Sequence, residues 1–200
     1  GYSKEILKFS RTNVLAIDRD KKVLVEAKKI EKKYPKRFKF HQLKFSKLET
    51  ISTGNVDVVI FDLGLSSIQL DDFNRGFSFK SNKKLNMTMG LNEISALDVI
   101  NNLSEADLKQ VIKILGDEKE ASKIAKNIVN HRNKKKIQNT NELVKIIEKS
   151  KKKNYSNKIN PCTKTFQALR IFVNKEITEL ISGIINATKK LKPGGKILVI

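Results

Sequence analysis

Apolar residues along this chain follow two textures. Near both ends, short apolar runs closed by an acid alternate with helical spacing; a long middle stretch carries helical spacing alone. Val14–Asp18 (VLAID) is an apolar run ending in a carboxylate, the pattern of a buried parallel strand. Lys21–Lys33 follows with Val23, Leu24, Ala27 and Ile30 at helical spacing. Phe38–Leu43 reads as a second strand. Val56–Leu63 (VDVVIFDL) is the strongest strand signal, β-branched and apolar, with Asp62 near its end. Ile197–Ile200 (ILVI) is another, introduced by L-K-P-G-G, whose Pro-Gly-Gly predicts a tight turn.

Between about Asp72 and Pro161 no strand pattern occurs. Glu93–Asn102, Glu105–Leu115, Lys119–Arg132 and Asn141–Lys151 all read as helices, with Ser104 (Asp107 three residues on) and Thr140 as predicted caps of the second and fourth. Thr165–Lys190 reads as one long helix with Phe166, Leu169, Val173, Ile177, Leu180 and Ile184 as its apolar stripe. Gln167, Arg170 and Asn174 form a polar stripe beside it. Strands and helices on both sides of an all-helical block predict an α/β sheet carrying a helical insertion. The expected boundaries are 1–72 for the first part of the sheet domain, 73–161 for the insertion and 162–200 for the second part. A doubly wound sheet normally opens on a strand and a glycine-rich turn. Starting at Gly1 in helix and stopping at Ile200 in a strand is the pattern expected of a fragment.

Composition narrows the class. The 200 residues carry 41 Lys+Arg against 21 Asp+Glu, a net charge of +20. Such a balance points to a polyanionic partner. Yet 35 of the basic residues are Lys and 18 residues are Asn, the usage of an AT-rich coding sequence, so part of the excess reads as solvated surface. The charge concentrates at 132–153, with nine basic and two acidic residues. No apolar run is long enough to span a membrane, and the first ten residues lack a secretory h-region. Cys162 is the single cysteine, which excludes an internal disulfide and a cysteine zinc cluster and suits a reducing cytoplasm. With two histidines, no metal site is expected.

Candidate chemistry gathers at the strand ends. Asp18 stands where an acid of a doubly wound sheet accepts the ribose hydroxyls of a nucleoside cofactor, in NAD, FAD and S-adenosylmethionine proteins alike. Asp62 closes its strand in the same way, and Gly64 after it allows close backbone approach. Two acids at strand ends and a K-P-G-G turn favour a methyltransferase over a dehydrogenase. The segment Ser66–Phe79 (SSIQLDDFNRGFSF) has neither helical nor strand period and reads as a structured functional loop. Asn160–Asn174 combines a proline-marked start with the polar stripe, where Arg170 is placed to meet a phosphate or an acid of the sheet.

These blocks resemble the family of ribosomal RNA small subunit methyltransferase H. The matching stretches are Gly1-Tyr2-Ser3, LAIDRD at 15–20, FDLGLSSIQLDD at 61–72, RGFSF at 75–79, LNMTM at 85–89, TFQALRIFVNKE at 165–176 and LKPGGKILVI at 191–200. The resemblance implies a Rossmann-like class I S-adenosylmethionine-dependent methyltransferase sheet with an inserted all-helical domain that grips RNA. It implies methylation of the exocyclic N4 of a cytidine in the decoding region of 16S rRNA, within the small ribosomal subunit, in the cytoplasm. Gly1 and Tyr2 match the end of the loop near the methionine part of the cofactor. Asp18 matches the ribose-binding acid, Phe45 the residue against the adenine, and Asp62 and Gln69 the remaining cofactor contacts. Asp62 or the neighbouring Leu63–Ser67 backbone is the expected acceptor for the amino group, with a purely cofactor-holding role for Asp62 as the alternative. Arg75, Phe77, Phe79, Arg170 and Asn174 are expected substrate contacts, Phe77 or Phe79 by stacking on the base, with a core role equally open for each. A homodimer is carried as an expectation.

The chain departs from the family pattern in places. Ile68 replaces a Pro. Asn86, Thr88 and Gly90 replace two acids and an Arg, and Asn160 replaces a His. These changes bear on substrate contacts rather than on the cofactor. Two rivals stay open: a non-enzymatic ribosome-binding protein on the same fold, and a nicotinamide-dependent oxidoreductase, which the K-P-G-G turn and the motif blocks disfavour.

Overall fold

The short apolar runs become parallel strands and the helical spacings become helices in a computed structural model, which describes residues 1–151 and 160–200. In chain order the elements are α1 (Tyr2–Ile6), β1 (Val14–Asp18), α2 (Leu24–Lys33), β2 (Phe38–Gln42), β3 (Val56–Phe61), α3 (Ser67–Asp71), α4 (Ala96–Asn102), α5 (Glu105–Gly116), α6 (Ala121–Arg132), α7 (Thr140–Ser150), α8 (Thr163–Asn174), α9 (Glu176–Thr188) and β4 (Leu191–Val199). The chain divides into two compact units, Gly1–Leu63 with Ile177–Ile200, and Gly64–Glu176.

The first unit is a Rossmann-like α/β arrangement. β1 pairs with β2 in parallel from Val14↔Phe38 to Asp18↔Gln42, with α2 as the crossover. β3 pairs with β4 in parallel, Val59↔Ile197 and Phe61↔Val199 among the partners. Leu7, Ala27 and Phe38 form the core beneath the first pair, with Val14, Ala16, Ile30 and Phe40 against it. Arg37 pins the turn after α1, donating to the carbonyls of Leu7 (3.0 Å) and Phe9 (2.8 Å). The Pro-Gly-Gly segment does not precede the last strand as a separate turn. It lies inside β4, where Val56 pairs with Leu191 but Val58 with Lys196, so residues 192–195 bulge from the ladder.

The second unit is helical and has its own core. Val99 and Ile100 of α4, Leu108 and Ile112 of α5, Ile124 and Ile128 of α6, Leu143 and Ile147 of α7, and Phe166, Leu169 and Val173 of α8 supply it. Each set is spaced one, three or four residues apart, which puts it on one helix face. Ser104 caps α5 as expected, its Oγ accepting the Asp107 N–H at 3.1 Å. The cap of α7 is Asn139, whose Oδ1 accepts from Glu142 N at 3.0 Å. Thr140 cannot serve, because its hydroxyl donates instead to the Lys83 carbonyl.

Three further expectations change. The long helix predicted over 165–190 is two helices: Lys175 adopts φ +51 and ends α8. The bidentate pair of Arg170 and Glu176 then bridges the break. The segment 66–79 is not free of helix, since Ser66 and Gln69 form a reciprocal capping box that starts α3. The compact units part at 63/64 and 176/177 rather than at 72/73 and 161/162, because α8 packs on α5. No described helix is long and apolar enough to cross a membrane.

Candidate functional site

The carboxyl ends of β1 and β3 and the segment leaving β2 carry Asp18, Asp62 and Phe45, residues expected from the sequence to meet the cofactor. Asp18 ends β1, and its Oδ1 accepts the Asp20 N–H at 2.8 Å, which fixes the carboxylate in the turn. Leu43 N donates to the Asp18 carbonyl at 3.1 Å, so the segment leaving β2 runs beside Asp18. Two residues further on, Phe45 opens a 3-10 helix (Phe45–Thr50). Its ring meets that of Phe61 edge to face, centroids 5.3 Å apart. Asp62 follows directly and is exposed. The ladder holds the backbone on either side of it, Ile200 N donating to Phe61 O at 2.9 Å and Leu63 N to Ile200 O at 3.0 Å. Asp18, Phe45 and Asp62 are thus connected through the Leu43–Asp18 backbone bond and the Phe45–Phe61 ring contact. Gly1 and Tyr2 stand exposed at the start of α1.

This donor set suits S-adenosylmethionine. A carboxylate accepts two ribose hydroxyls, an aromatic ring offers the adenine a face, and a second carboxylate stands exposed for the remaining polar groups. Gly64 has φ +91 and nothing within 4 Å of where a Cβ would stand, so its backbone is open to close approach.

The second unit treats its expected site residues differently. Gln69 is buried, and its Oε1 accepts the Ser66 N–H at 3.1 Å as part of the α3 cap. Arg75 donates from Nη2 to Thr88 O at 2.6 Å, and its guanidinium lies 5.3 Å from the Phe77 ring centroid. Phe77 is a core residue, and Phe79 packs edge to face on Phe166. Of the two roles open to these rings, Phe77 takes the core one, and Phe79 is partly buried against the same core. Arg170 is engaged by Glu176 through Nε (2.8 Å) and Nη2 (3.0 Å), rather than by an acid of the sheet. Asn174 is fully buried and braces the Met87–Met89 backbone, so it is no part of an exposed polar stripe. Asn92, which the sequence patterns did not single out, joins this brace, donating to Asn174 Oδ1 at 3.0 Å and to Val173 O at 2.8 Å.

Basic residues of the 132–153 stretch divide by role. Arg132 donates to the carbonyls of Ile100 and Leu103 at the end of α4, and Lys151 pairs with Glu118, so both serve the fold. Lys134, Lys135, Lys136, Lys145 and Lys149 are exposed. Lys152 and Lys153 lie outside the described residues.

Comparison with known proteins bears on both units. A family model described as the MraW methylase family matches residues 1–200. The ribosomal RNA small subunit methyltransferase H of Ehrlichia canis (strain Jake) is 44% identical over 205 residues, covering 100% of this chain and 69% of that protein. The protein of the same name from Ehrlichia ruminantium (strain Welgevonden) is 45% identical over 208 residues, covering 100% of this chain and 68% of that protein. A third, from Bartonella bacilliformis, is 40% identical over 200 residues, covering 100% and 60%. A methylase match along the whole chain removes the nicotinamide-dependent alternative. The methyl donor of the family is S-adenosylmethionine. On an end-to-end family match and this level of identity, the chain belongs to the MraW methylase family.

Proposed function

We propose that the chain transfers the methyl group of S-adenosylmethionine to the exocyclic N4 of a cytidine in the decoding region of 16S rRNA, in the small ribosomal subunit. The observation that carries this reading is the match, along the whole of this chain and about two thirds of each relative, to proteins named ribosomal RNA small subunit methyltransferase H. Their shared name favours an enzyme over a ribosome-binding protein that has lost catalysis. An rRNA substrate supports a cytoplasmic site of action, with the ribosome.

Bound S-adenosylmethionine supplies an electrophilic sulfonium methyl. Asp18 accepts the ribose hydroxyls, and the Asp20 N–H that it holds keeps its carboxylate in place. Phe45 lies against the adenine. A cytosine amino nitrogen is a weak nucleophile, its lone pair being delocalised into the ring. The protein must therefore hold it close to the methyl carbon and accept its N–H as charge develops. Asp62, exposed at the end of β3, is the acceptor: it would take up the amino proton as the N–C bond forms and the methyl carbon–sulfur bond breaks, the electron pair of that bond staying on sulfur as a neutral thioether. The target base leaves its stack to reach this edge. Gly1 and Tyr2, exposed at the start of α1, complete the cofactor contacts of the first unit.

The helical insertion grips RNA through the exposed lysines of α6, α7 and the turn between them. Arg75, Arg170 and Asn174 act behind the substrate surface by bracing the loop that follows Leu85 and the α8 end.

The experiment supplies full-length protein with small ribosomal subunits lacking the modification and with methyl-labelled S-adenosylmethionine. Label in N4-methylcytidine at one site is the expected result. No transfer, or label on another atom, overturns the reading.

A further inference from the structure

Ser46 follows Phe45 in the 3-10 helix, and α9 holds all three of its polar groups. The Ser46 N–H donates to Glu179 Oε2 at 2.9 Å, and its hydroxyl donates to Glu179 Oε1 at 3.2 Å. The Ser46 carbonyl accepts from Asn186 Nδ2 at 3.1 Å. Between these two side chains, the α9 backbone comes so close to the aromatic pair that a Cβ on Gly183 would stand 2.9 Å from Phe45 Cβ and 2.8 Å from Phe61 Cε1. Residues 179, 183 and 186 are spaced by four and three, so they share one face of the helix. The opposite face carries Ile177, Ile181 and Ile185, all exposed.

Glu179 is a costly way to hold a turn. It is only 9% exposed, and a buried carboxylate stabilises a fold less than an apolar residue of similar size. What it supplies is direction. Two hydrogen bonds to a single serine, one of them to its backbone, fix where the preceding residue points, and that residue is Phe45. Gly183 sets the depth at which the Phe45 ring can sit, and Asn186 fixes the far side of the same peptide.

We infer that Glu179, Gly183 and Asn186 are positioning residues that set the Phe45 ring for the adenine of the methyl donor through Ser46. The inference rests on the reading of Phe45 as the adenine-facing residue. It assigns to one face of α9 the adenine end of cofactor recognition.

Calorimetric titration of full-length protein with S-adenosylmethionine, together with steady-state kinetics on small subunits, tests it. Glu179→Ala is expected to raise Kd and KM for the donor about tenfold, the effect of losing hydrogen bonds to a charged group, with kcat at saturating donor within about twofold of the parent. Glu179→Gln keeps an acceptor for the Ser46 N–H and should recover most of the affinity. Gly183→Ala should weaken the donor without changing KM for the subunit. The deciding measurement is a cycle with Phe45→Ala: the double variant should bind the donor no more weakly than Phe45→Ala alone. Additive losses, or unchanged donor affinity in Glu179→Ala where Phe45→Ala weakens it, overturn the inference. Unchanged affinity in Phe45→Ala itself overturns the adenine reading, and the inference with it. Should Glu179→Ala not fold, Asn186→Ala, which leaves the carboxylate paired, carries the same cycle with an expected loss of about threefold, one neutral hydrogen bond.

Discussion

Asn174 Oδ1 accepts the backbone N–H of Met89 at 2.8 Å, while its Nδ2 donates to the carbonyls of Met87 and Arg170, each at 2.8 Å. One buried amide thus ties the end of α8 to a loop that runs through left-handed backbone at Met87 (φ +57), Gly90 (φ +116) and Leu91 (φ +54). A non-glycine residue holds such a conformation only where its surroundings enforce it. Asn174→Leu, close in volume, leaves the Met89 N–H and the Met87 carbonyl without their partner. The expected loss is about 2–4 kcal/mol, two buried polar groups stranded, read as a lower midpoint in urea unfolding. An unchanged midpoint would remove Asn174 as the brace.

How much of this was legible in the sequence depends on whether local pattern or tertiary contact decides. The strands ending at Asp18 and Phe61 were legible because each is an apolar, β-branched run closed by an acid, although β1 is only part-buried along its length and β3 leaves Asp57 and Val58 exposed. The break at Lys175 was not. The apolar spacing continues from Phe166 to Ile184, and what marks the break is the tertiary Asn174 brace together with the Arg170–Glu176 pair that spans it. The start of α3 was present as Ser66-x-x-Gln69, a capping-box signature that the surrounding Asp, Arg and Phe obscured. Glu179, Gly183 and Asn186 share helical spacing, but nothing in the local pattern singles them out; only their contacts with Ser46 and Phe45 do. Phe77 and Phe79 show the converse case: in an unpatterned loop local sequence leaves core and ligand contact equally open, and only the tertiary packing turns Phe77 into the core with Phe79 against it.

Two glycines in left-handed backbone should respond differently to alanine. At Gly76 (φ +71) a Cβ would lie 2.6 Å from the Lys84 carbonyl and 2.9 Å from Asn86 N, backbone that has no room to yield. Gly76→Ala is expected to cost about 3 kcal/mol or more in unfolding experiments, strain and overpacking together. Gly64→Ala meets only the conformational penalty, about 1–2 kcal/mol. Its larger effect should appear as weaker binding of S-adenosylmethionine, because the added methyl occupies space that backbone approach uses. Equal stability losses at the two positions would contradict this contrast.

Asp18 separates fold from cofactor binding through two substitutions. Asp18→Asn retains an oxygen for the Asp20 N–H and should keep the thermal midpoint, yet it loses the anionic acceptor for the ribose hydroxyls. Asp18→Ala loses both. Donor affinity is expected to fall at least about tenfold in each, the scale of a charge-assisted hydrogen bond, measured by calorimetry. Parental affinity in both variants would remove Asp18 from the site.

Cys162 is fully buried, and desolvation, with the Glu148 charge as a smaller cause, pushes its thiol up to about 12. A group with so high a value stays a neutral thiol through the physiological range, and the thiolate is the reactive form. Native protein is therefore expected to leave Cys162 unmodified by iodoacetamide at pH 8, with alkylation of this residue appearing on denaturation, as mapped by peptide mass. Rapid labelling in the native state would show that α8 opens at its start.

The basic stretch of the insertion offers a test of charge against architecture. Lys134, Lys135 and Lys136 are exposed on consecutive positions, whereas Arg132, just before them, is bonded to the Ile100 and Leu103 carbonyls. If the three lysines meet phosphates, each releases counterions on binding, and the slope of log K against log salt should fall by about 2–3 when all three become Gln. Affinity for the RNA should fall with them at low salt, and the unfolding midpoint should not move. Arg132→Gln is expected to do the reverse: it unseats α6 from the end of α4 and lowers the midpoint while leaving the salt slope nearly intact. A triple variant with the parental slope would place the RNA contacts elsewhere on the insertion, with the Lys145 and Lys149 side of α7 the next surface to neutralise.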